Sequence, residues 1–307
     1  MALILLLTIS IFSTNAIANS SLPACPDEVG AEKPLLLTAT SPSQLLYADT
    51  LFDDNDFDGA ILEFKRYIFY NPQSNVLDYA LYRIGQSYYY SQRPINAQKS
   101  FERLLKDYPQ SPLRLYTRFM LGKTFMDNED FPRARKEFHL ITKSNIDKKL
   151  SAQAKYLEAW SYLSERDWYS AVAEFRKVGQ FQPFTSFEGS PDNPLSIKAE
   201  RLANETLASI RLSRKSPTLA RWMSTFLPGS GQIYAGKITN GLISTAFNAA
   251  FIYLLVDSLR DKRYVDAVGV YIIGARFYWG NIYNAKQSAL EYNQRIEERL
   301  LEKLKNL

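Results

Sequence analysis

The chain is poor in the residues that most often do chemistry. Its 307 residues include one cysteine, Cys25, and one histidine, His139. A single cysteine excludes an internal disulfide and a multi-cysteine zinc site, and a single histidine removes the commonest metal ligand and general base from nearly every position. Both scarcities argue against an enzyme. Thirteen glycines and 14 prolines are too few for a collagenous or linker-dominated chain. There is also no large excess of one charge: 37 basic residues face 32 acidic ones, a net charge of +5. What the chain does have is apolar material, 46% hydrophobic and 14% aromatic residues, which supplies a core and excludes wholesale disorder. The length allows two domains of ordinary size. The basic excess is confined to one end: residues 1–210 carry 23 basic and 25 acidic side chains, whereas 211–307 carry 14 and 7. Such an end faces either nucleic acid or a membrane surface.

Hydropathy decides for the membrane. The run Met1 to Phe12 is apolar and is followed by small and polar residues through Ala16 and Ala18. It is too short to span about 30 Å of hydrocarbon and reads as a signal peptide over 1–18, although it lacks the usual positive start. A linker over 19–40 follows. Within it, Leu22-Pro23-Ala24-Cys25 resembles a bacterial lipoprotein box, which leaves lipidation of Cys25 as an alternative. Near the other end, Ile238 to Val256 carries no charge over a bilayer-length stretch. A second stretch, Ala267 to Ala285, contains Arg276, which costs roughly 2.5–3.5 kcal/mol at a helix centre. It therefore needs a partner, and Asn240, Ser244 and Asn248 share one face of the first helix, where they could meet Arg276 or Asn281. Upstream, Leu219, Trp222, Met223, Phe226 and Leu227 fall on one helical face among Arg211, Arg214, Lys215 and Arg221, the pattern of an interfacial helix. Residues 213–285 thus read as an interfacial helix plus a two-helix membrane domain. Residues 286–307, with Ile296, Leu300 and Leu304 four apart, read as an amphipathic C-terminal helix.

The middle repeats with a period of 37. Ala60, Ala97, Ala134 and Ala171 are in step, as are Phe64, Phe101, Phe138 and Phe175, and Ala48, Gly85, Gly122 and Ala159. Pro72, Pro109 and Pro183 close three of the four units. Each unit reads as two helices: a small residue on the first lets the second pass closely, and Ala and Phe lie one turn apart on the second. Acidic turns such as 53–56 and 127–130 separate the two helices and supply caps. A lone helix pair cannot bury its apolar side, so the four units over 41–183 must stack.

This pattern resembles tetratricopeptide repeats, the second unit most closely, with Leu81, Ile84, Gly85, Tyr88, Ala97, Phe101 and Pro109 at the family's small and large positions. Glu158 departs from it, standing where the fourth unit should have an apolar residue. The 37-residue length, Phe64-Lys65-Arg66-Tyr67 and Tyr108-Pro109 resemble the envelope branch that contains the Tol-Pal accessory proteins and the BamD-type outer-membrane assembly lipoprotein. Ile197, Leu202, Leu207 and Ile210 suggest a capping helix within a 184–212 linker. A second resemblance covers Pro228, Gly229, Gly231, Gln232, Tyr234 and Gly236. They are similar to the Pro-Gly-x-Gly-Gln-x-Tyr-x-Gly turn that opens TM2-like two-helix membrane domains. The expected fold is all-α, a tetratricopeptide-repeat superhelix followed by a hydrophobic helical hairpin.

Motifs for chemistry break off early. Asp54-x-Asp56-x-Asp58-Gly59 copies the opening of a calcium loop, but position twelve is Lys65 rather than a bidentate glutamate. Gly231 to Lys237 satisfies Gly-x-x-x-x-Gly-Lys, yet Ile238 replaces the Ser or Thr that would hold magnesium and no strand precedes it. His139 has no nucleophile pattern near it. No metal, cofactor or small-molecule substrate is expected, and no nucleic acid. In repeats of this kind the first helices line the concave face, which places Tyr82, Phe119 and Tyr156 in one column with Leu45. Gln86, Lys123 and Trp160 join Asp49 in a second, and Tyr89 and Met126 join Phe52 and Leu163 in a third. Rings beside an amide and a charge suit a peptide groove, although packing between units would use the same residues. The reading is a non-enzymatic adaptor that binds a protein or peptide in the bacterial envelope, its repeats periplasmic and its hairpin in the inner membrane. The alternatives are a BamD-type lipoprotein and a membrane enzyme or transport component using Arg276.

Overall fold

The computed structural model describes residues 43–181, 194–210 and 214–307. The candidate signal peptide, Cys25 and Pro183 lie outside them, as does most of the linker before the capping helix. Every regular element among the described residues is helical, so the expected all-α class holds. Two compact units divide the chain between Leu157 and Glu158.

In the first unit, helices α1 (Ser43–Asp53) to α6 (Phe131–Ser144) form three antiparallel pairs, α1 with α2 (Phe57–Tyr70), α3 (Leu77–Tyr90) with α4 (Pro94–Asp107), and α5 (Arg114–Asp127) with α6. The pairs stack in chain order, α2 on α3 and α4 on α5. The 37-residue columns form the core: Ala60, Ala97 and Ala134 are fully buried, and so are Phe64, Phe101 and Phe138. Gly85 and Gly122 are where those rings lie, and a Cβ at either would collide with Phe101 or Phe138. Glycine is therefore required here for close approach rather than for a turn.

A fifth column is hidden in the turns. Asn55, Gln92, Glu129 and Arg166, each 37 residues apart, all have positive φ, between 56° and 65°. In every turn the next residue's N–H reaches back to a carbonyl five residues earlier, as from Asp56 to Leu51 (2.8 Å) and from Asp130 to Phe125 (2.8 Å). Asp56, Asp130 and Asp167 then cap the following helix by accepting from Gly59, Arg133 and Ser170. The second repeat has Pro94 in the first turn of α4 instead.

Helix α7 (Lys148–Ser164) crosses the division between the units, and its whole face from Ser151 to Trp160 is buried, Glu158 included. In the second unit, α8 (Trp168–Lys177) carries Ala171 and Phe175, both buried, with Trp160 edge-on to Phe175 at 6.0 Å. A short 3-10 turn, Val178–Phe181, follows. Helix α9 (Pro194–Ile210) packs on α8. It does so through Leu195, Ala199, Leu202, Ala203 and Thr206, while Ile197 is half exposed. Beyond it come α10 (Pro217–Phe226), a single turn α11 (Ser230–Tyr234), α12 (Ile238–Arg260) and α13 (Tyr264–Lys305).

The second apolar stretch and the C-terminal helix are one element. Helix α13 runs unbroken for 42 residues, about 63 Å at 1.5 Å per residue. Its first half pairs with α12, Phe277 stacking on Phe247 at 6.1 Å and meeting Phe251 at 5.3 Å. Its last turns dock on the end of the repeats: Leu300 and Leu304 are buried, Glu297 pairs with Arg166 at 3.1 Å and Arg214 at 3.2 Å, and Lys303 pairs with Glu205 at 2.6 Å. The hydrogen bond from Lys303, reinforced by its charge, holds the Glu205 carboxyl below the usual carboxylate range.

Candidate functional site

The three columns expected to line a groove meet different fates. Tyr82, Gln86, Phe119, Met126, Tyr156 and Trp160 are all buried. Tyr82 and Phe119 lie against Phe101 and Phe138 of their own helix pairs, at 6.1 and 6.0 Å, so these rings contribute to packing within the unit. Gln86 belongs to a buried polar cluster. Arg83 Nε donates to Asp49 at 2.8 Å and its guanidinium lies 3.7 Å above the Phe52 ring; Tyr79 donates to the same carboxylate at 2.8 Å. Gln86 accepts from Arg83 and donates to Tyr82, each at 3.3 Å. Burial pushes the Tyr79 hydroxyl far above its ordinary range, which keeps its proton available to Asp49. An ion pair this dry fixes how one helix pair sits on the next, and removing one partner strands the other at a cost of about 3–5 kcal/mol.

Phe52, Tyr89 and Lys123 of the expected lining stay half exposed. Tyr89 and Lys123 form a compact group with Asp127. The Lys123 ammonium stands 5.4 Å from the Tyr89 ring centroid. Partial desolvation raises the Asp127 carboxyl above its ordinary range, opposed by a hydrogen bond from Tyr89 and by the Lys123 charge. Beside them Phe52, Phe57 and Tyr90 make an aromatic patch, with centroids 5.4–6.1 Å apart. The spacing of three aromatic columns did not reveal which rings remain accessible, because inner and outer positions of a stacked helix pair share the 37-residue period.

The glycine-rich turn forms the second candidate site, and here the predicted residues come together. Gly229, at φ 95°, has no room for a Cβ against the Gly241 carbonyl and Thr245. Gly231 packs its backbone against the Ala220 carbonyl, and Pro228 accepts from Thr245 at 2.7 Å. Gln232 is the hub: its carbonyl accepts from Ser224 at 3.0 Å and its amide donates to Asn281, at 2.5 Å to the side chain and 3.1 Å to the backbone. One side chain thereby ties α10, α11 and α13 together. Tyr234 accepts from the Ser216 N–H at 3.1 Å beneath Lys215, and Gly236 (φ 82°) turns the chain into α12. Sequence reasoning missed Ser224 and reached Asn281 with the wrong partner. Asn281 bonds Gln232 rather than the Asn240, Ser244 and Asn248 face, where Asn248 donates to the Ser244 carbonyl at 2.8 Å. Arg276 is exposed, with no carboxylate partner among the described residues.

The two truncated chemical motifs are used structurally. Asp56 caps α2 and Asp58 pairs with Arg93 at 2.7 Å. Gly231 is buried and Lys237 pairs with Glu291 at 2.5 Å. His139 is exposed.

Family models for the tetratricopeptide repeat match residues 79–111 and 119–183. These segments are tetratricopeptide repeats. Among solved structures, the chain is similar to a tetratricopeptide repeat protein from Parabacteroides merdae, with 14% identity over 86% of this chain and 98% of that one, at a TM-score of 0.44. It is also similar to the C-terminal part of a TPR repeat-containing protein from Cytophaga hutchinsonii, with 15% identity over 81% and 98%, at a TM-score of 0.27. No curated protein matches the sequence. Tetratricopeptide repeats generally form non-catalytic scaffolds for protein interaction. Among the described residues, one helix, Ile238–Arg260, is long and apolar enough to cross a membrane.

Proposed function

We propose that the protein is a membrane-tethered adaptor, in which the repeats hold a protein or peptide partner and the helices after residue 213 sit in and on a lipid bilayer. The observation that carries this is an inverted hydrophobic pattern. On α10 the large apolar residues Leu219, Trp222 and Phe226 are 48–81% exposed, while Ala220 and Ser224 are buried. On α12 and α13, Leu242, Ile252, Val256, Val268 and Ile272 are each more than half exposed, while the buried residues include Asn248, Ser258, Asn281 and Ser288. Such a surface is stable in hydrocarbon and costly in water. Helix α12 is 23 residues, about 34 Å, enough for the roughly 30 Å hydrocarbon core. The likeness of the Pro228 to Gly236 turn to TM2-like domains supports the same reading.

The continuous α13 gives the tether its mechanics. A helix that pairs with the membrane segment at one end and is salt-bridged to α9 at the other transmits position rigidly, whereas a loop would not. On the repeat side, the accessible group of Tyr89, Lys123 and Asp127, beside the Phe52–Tyr90 patch, offers rings, a cation and a carboxylate to an extended peptide. The bacterial envelope as location, with the repeats outside the cytoplasm, rests on the signal-peptide character of residues 1–18 and on Arg260, Lys262 and Arg263 in the α12–α13 turn, which suit the cytoplasmic side. The outer-membrane lipoprotein reading rests on the Cys25 tetrapeptide and on the resemblance of the 37-residue repeat to the BamD-type branch. A role for Arg276 in a polar membrane site lacks support, since Arg276 points outward and no described polar side chain joins it. Carbonate extraction of membranes from cells expressing the full chain tests the tether: the protein is expected in the pellet, and release to the supernatant would contradict the proposal.

A further inference from the structure

Where α10 crosses α13, a cavity of about 570 Å³ opens to the surface. Thr218, Arg221 and Trp222 of α10 face Trp279, Ile282 and Lys286 of α13 across it. The Tyr278 hydroxyl donates to the Thr225 carbonyl at 2.6 Å, pinning the two helices at its floor. We propose that this cavity binds the headgroup of an anionic phospholipid, with the phosphodiester between Arg221 and Lys286 and an acyl chain running down the exposed faces of Trp222 and Trp279.

Charge, depth and shape each point to that occupant. The lining holds two cations and no carboxylate. Neighbouring basic side chains are already engaged: Lys237 with Glu291, Arg214 with Glu297, and Lys215 over the Tyr234 and Tyr292 rings. Arg221 and Lys286 are exposed and have no ion pair among the described residues, so their charges are free for a ligand. The depth follows from the antiparallel pairing of α12 and α13. Lys237, the residue before α12, bonds Glu291, and Gln232 bonds Asn281, so Lys286 sits level with the start of the apolar helix. That is the headgroup layer, where phosphates meet Lys and Arg and where tryptophan rings settle. Trp222 and Trp279 are 57% and 66% exposed, apolar walls that a polar soluble ligand would leave bare.

The inference rests on the membrane tether proposed above, and the test separates the two. The chain has four tryptophans. Trp160 and Trp168 are buried outside the hairpin, so quenching by bromine on lipid tails reports on Trp222 and Trp279. The full chain is reconstituted into phosphatidylcholine vesicles in which a minor fraction of lipid carries brominated tails, either phosphatidylglycerol or phosphatidylcholine. Wild type is expected to show stronger quenching by brominated phosphatidylglycerol, equivalent to roughly 25-fold enrichment next to the rings, since each of the two basic side chains near anionic lipid is worth a factor of about five. R221Q/K286Q is expected to lose that excess while keeping the quenching by brominated phosphatidylcholine. Chain-free glycerophosphoglycerol at matched ionic strength is expected to leave the excess in place. Equal quenching by the two lipids in wild type, or an excess that survives in the double variant, would each overturn the headgroup site while leaving the tether intact, and displacement by the chain-free diester would overturn the lipid as occupant in favour of a soluble phosphodiester. Absence of quenching by either lipid would overturn the tether and this site with it.

Discussion

Phe101 and Phe226 are the same side chain in opposite settings. Phe101 is fully buried on α4, over Gly85, with Ala97 buried one turn before it. Phe226 is 81% exposed at the end of α10, while Ser224 beside it is buried and hydrogen-bonded. The contrast extends through both regions: the repeats put apolar columns inside, with a few paired charges such as Arg83 and Asp49 among them, and the C-terminal helices put amides and small residues inside and large rings outside. On the proposed reading one chain is built for two solvents, and the change of pattern falls between α9 and α10. Composition alone would not show it, since both regions draw on the same apolar residue types and differ in which face carries them.

The contrast can be broken most strongly at the repeat core. Phe101→Ala is expected to destabilise the repeats by about 3–5 kcal/mol, as the ring fills the space that Gly85 leaves and no neighbour can replace it. Thermal unfolding followed by circular dichroism measures it. A loss under about 1 kcal/mol would mean that the column is not the core. The next test sets equal substitutions against each other. Ile252→Arg, at a site 61% exposed on α12, is expected to cost roughly 2.5–3.5 kcal/mol of membrane insertion, whereas Phe69→Arg, at a site 77% exposed on α2, is expected to stay within about 0.5 kcal/mol. The membrane-bound fraction and the melting temperature of each variant report the difference. If α12 faced water, both changes would be silent.

A smaller effect is expected from the polar interior of the C-terminal helices. Gln232→Ala removes the hub and leaves Ser224 and Asn281 without their partner, which is expected to cost about 1–3 kcal/mol, seen as loosened α10–α13 packing in hydrogen exchange of the detergent-solubilised protein. Smallest is the turn column. Gln92→Gly relieves a left-handed residue, and the expected result is a gain of at most about 1 kcal/mol, because the glycine also adds freedom to the unfolded chain. Chemical denaturation would reveal the sign.

Much of this was legible beforehand because the repeat writes itself four times. A column that recurs at Ala60, Ala97, Ala134 and Ala171 needs no three-dimensional information to be read as a buried contact. The all-α class, the helix pairs and the acidic turns that cap the second helices followed from it. What was not legible has a common cause: a period says that positions are equivalent, not which way they face. Tyr82 and Tyr89 are seven residues apart on one helix, yet one is sealed against Phe101 and the other stands beside Lys123. Nor did periodicity show Asn55, Gln92, Glu129 and Arg166 as left-handed, because four different side chains occupy one backbone conformation. In the turn, the glycines announced close approach, but the partner of Asn281 depended on how α11 folds back between α10 and α13. The uncut length of α13 was hidden by the change from apolar to charged residues near Lys286, which alters a helix's surroundings without ending it.

The central claim is that the exposed apolar faces of α12 and α13 lie in lipid. It is tested most directly by nitroxide spin labels placed singly at Ile252→Cys and Phe69→Cys, with Cys25 replaced by serine, in the full chain reconstituted into vesicles. Collision rates with oxygen, which concentrates in hydrocarbon, are compared with those of a water-soluble nickel chelate. The account predicts a label at 252 that meets oxygen and is shielded from nickel, beside a label at 69 that meets nickel freely. Equal nickel access at the two positions would contradict it.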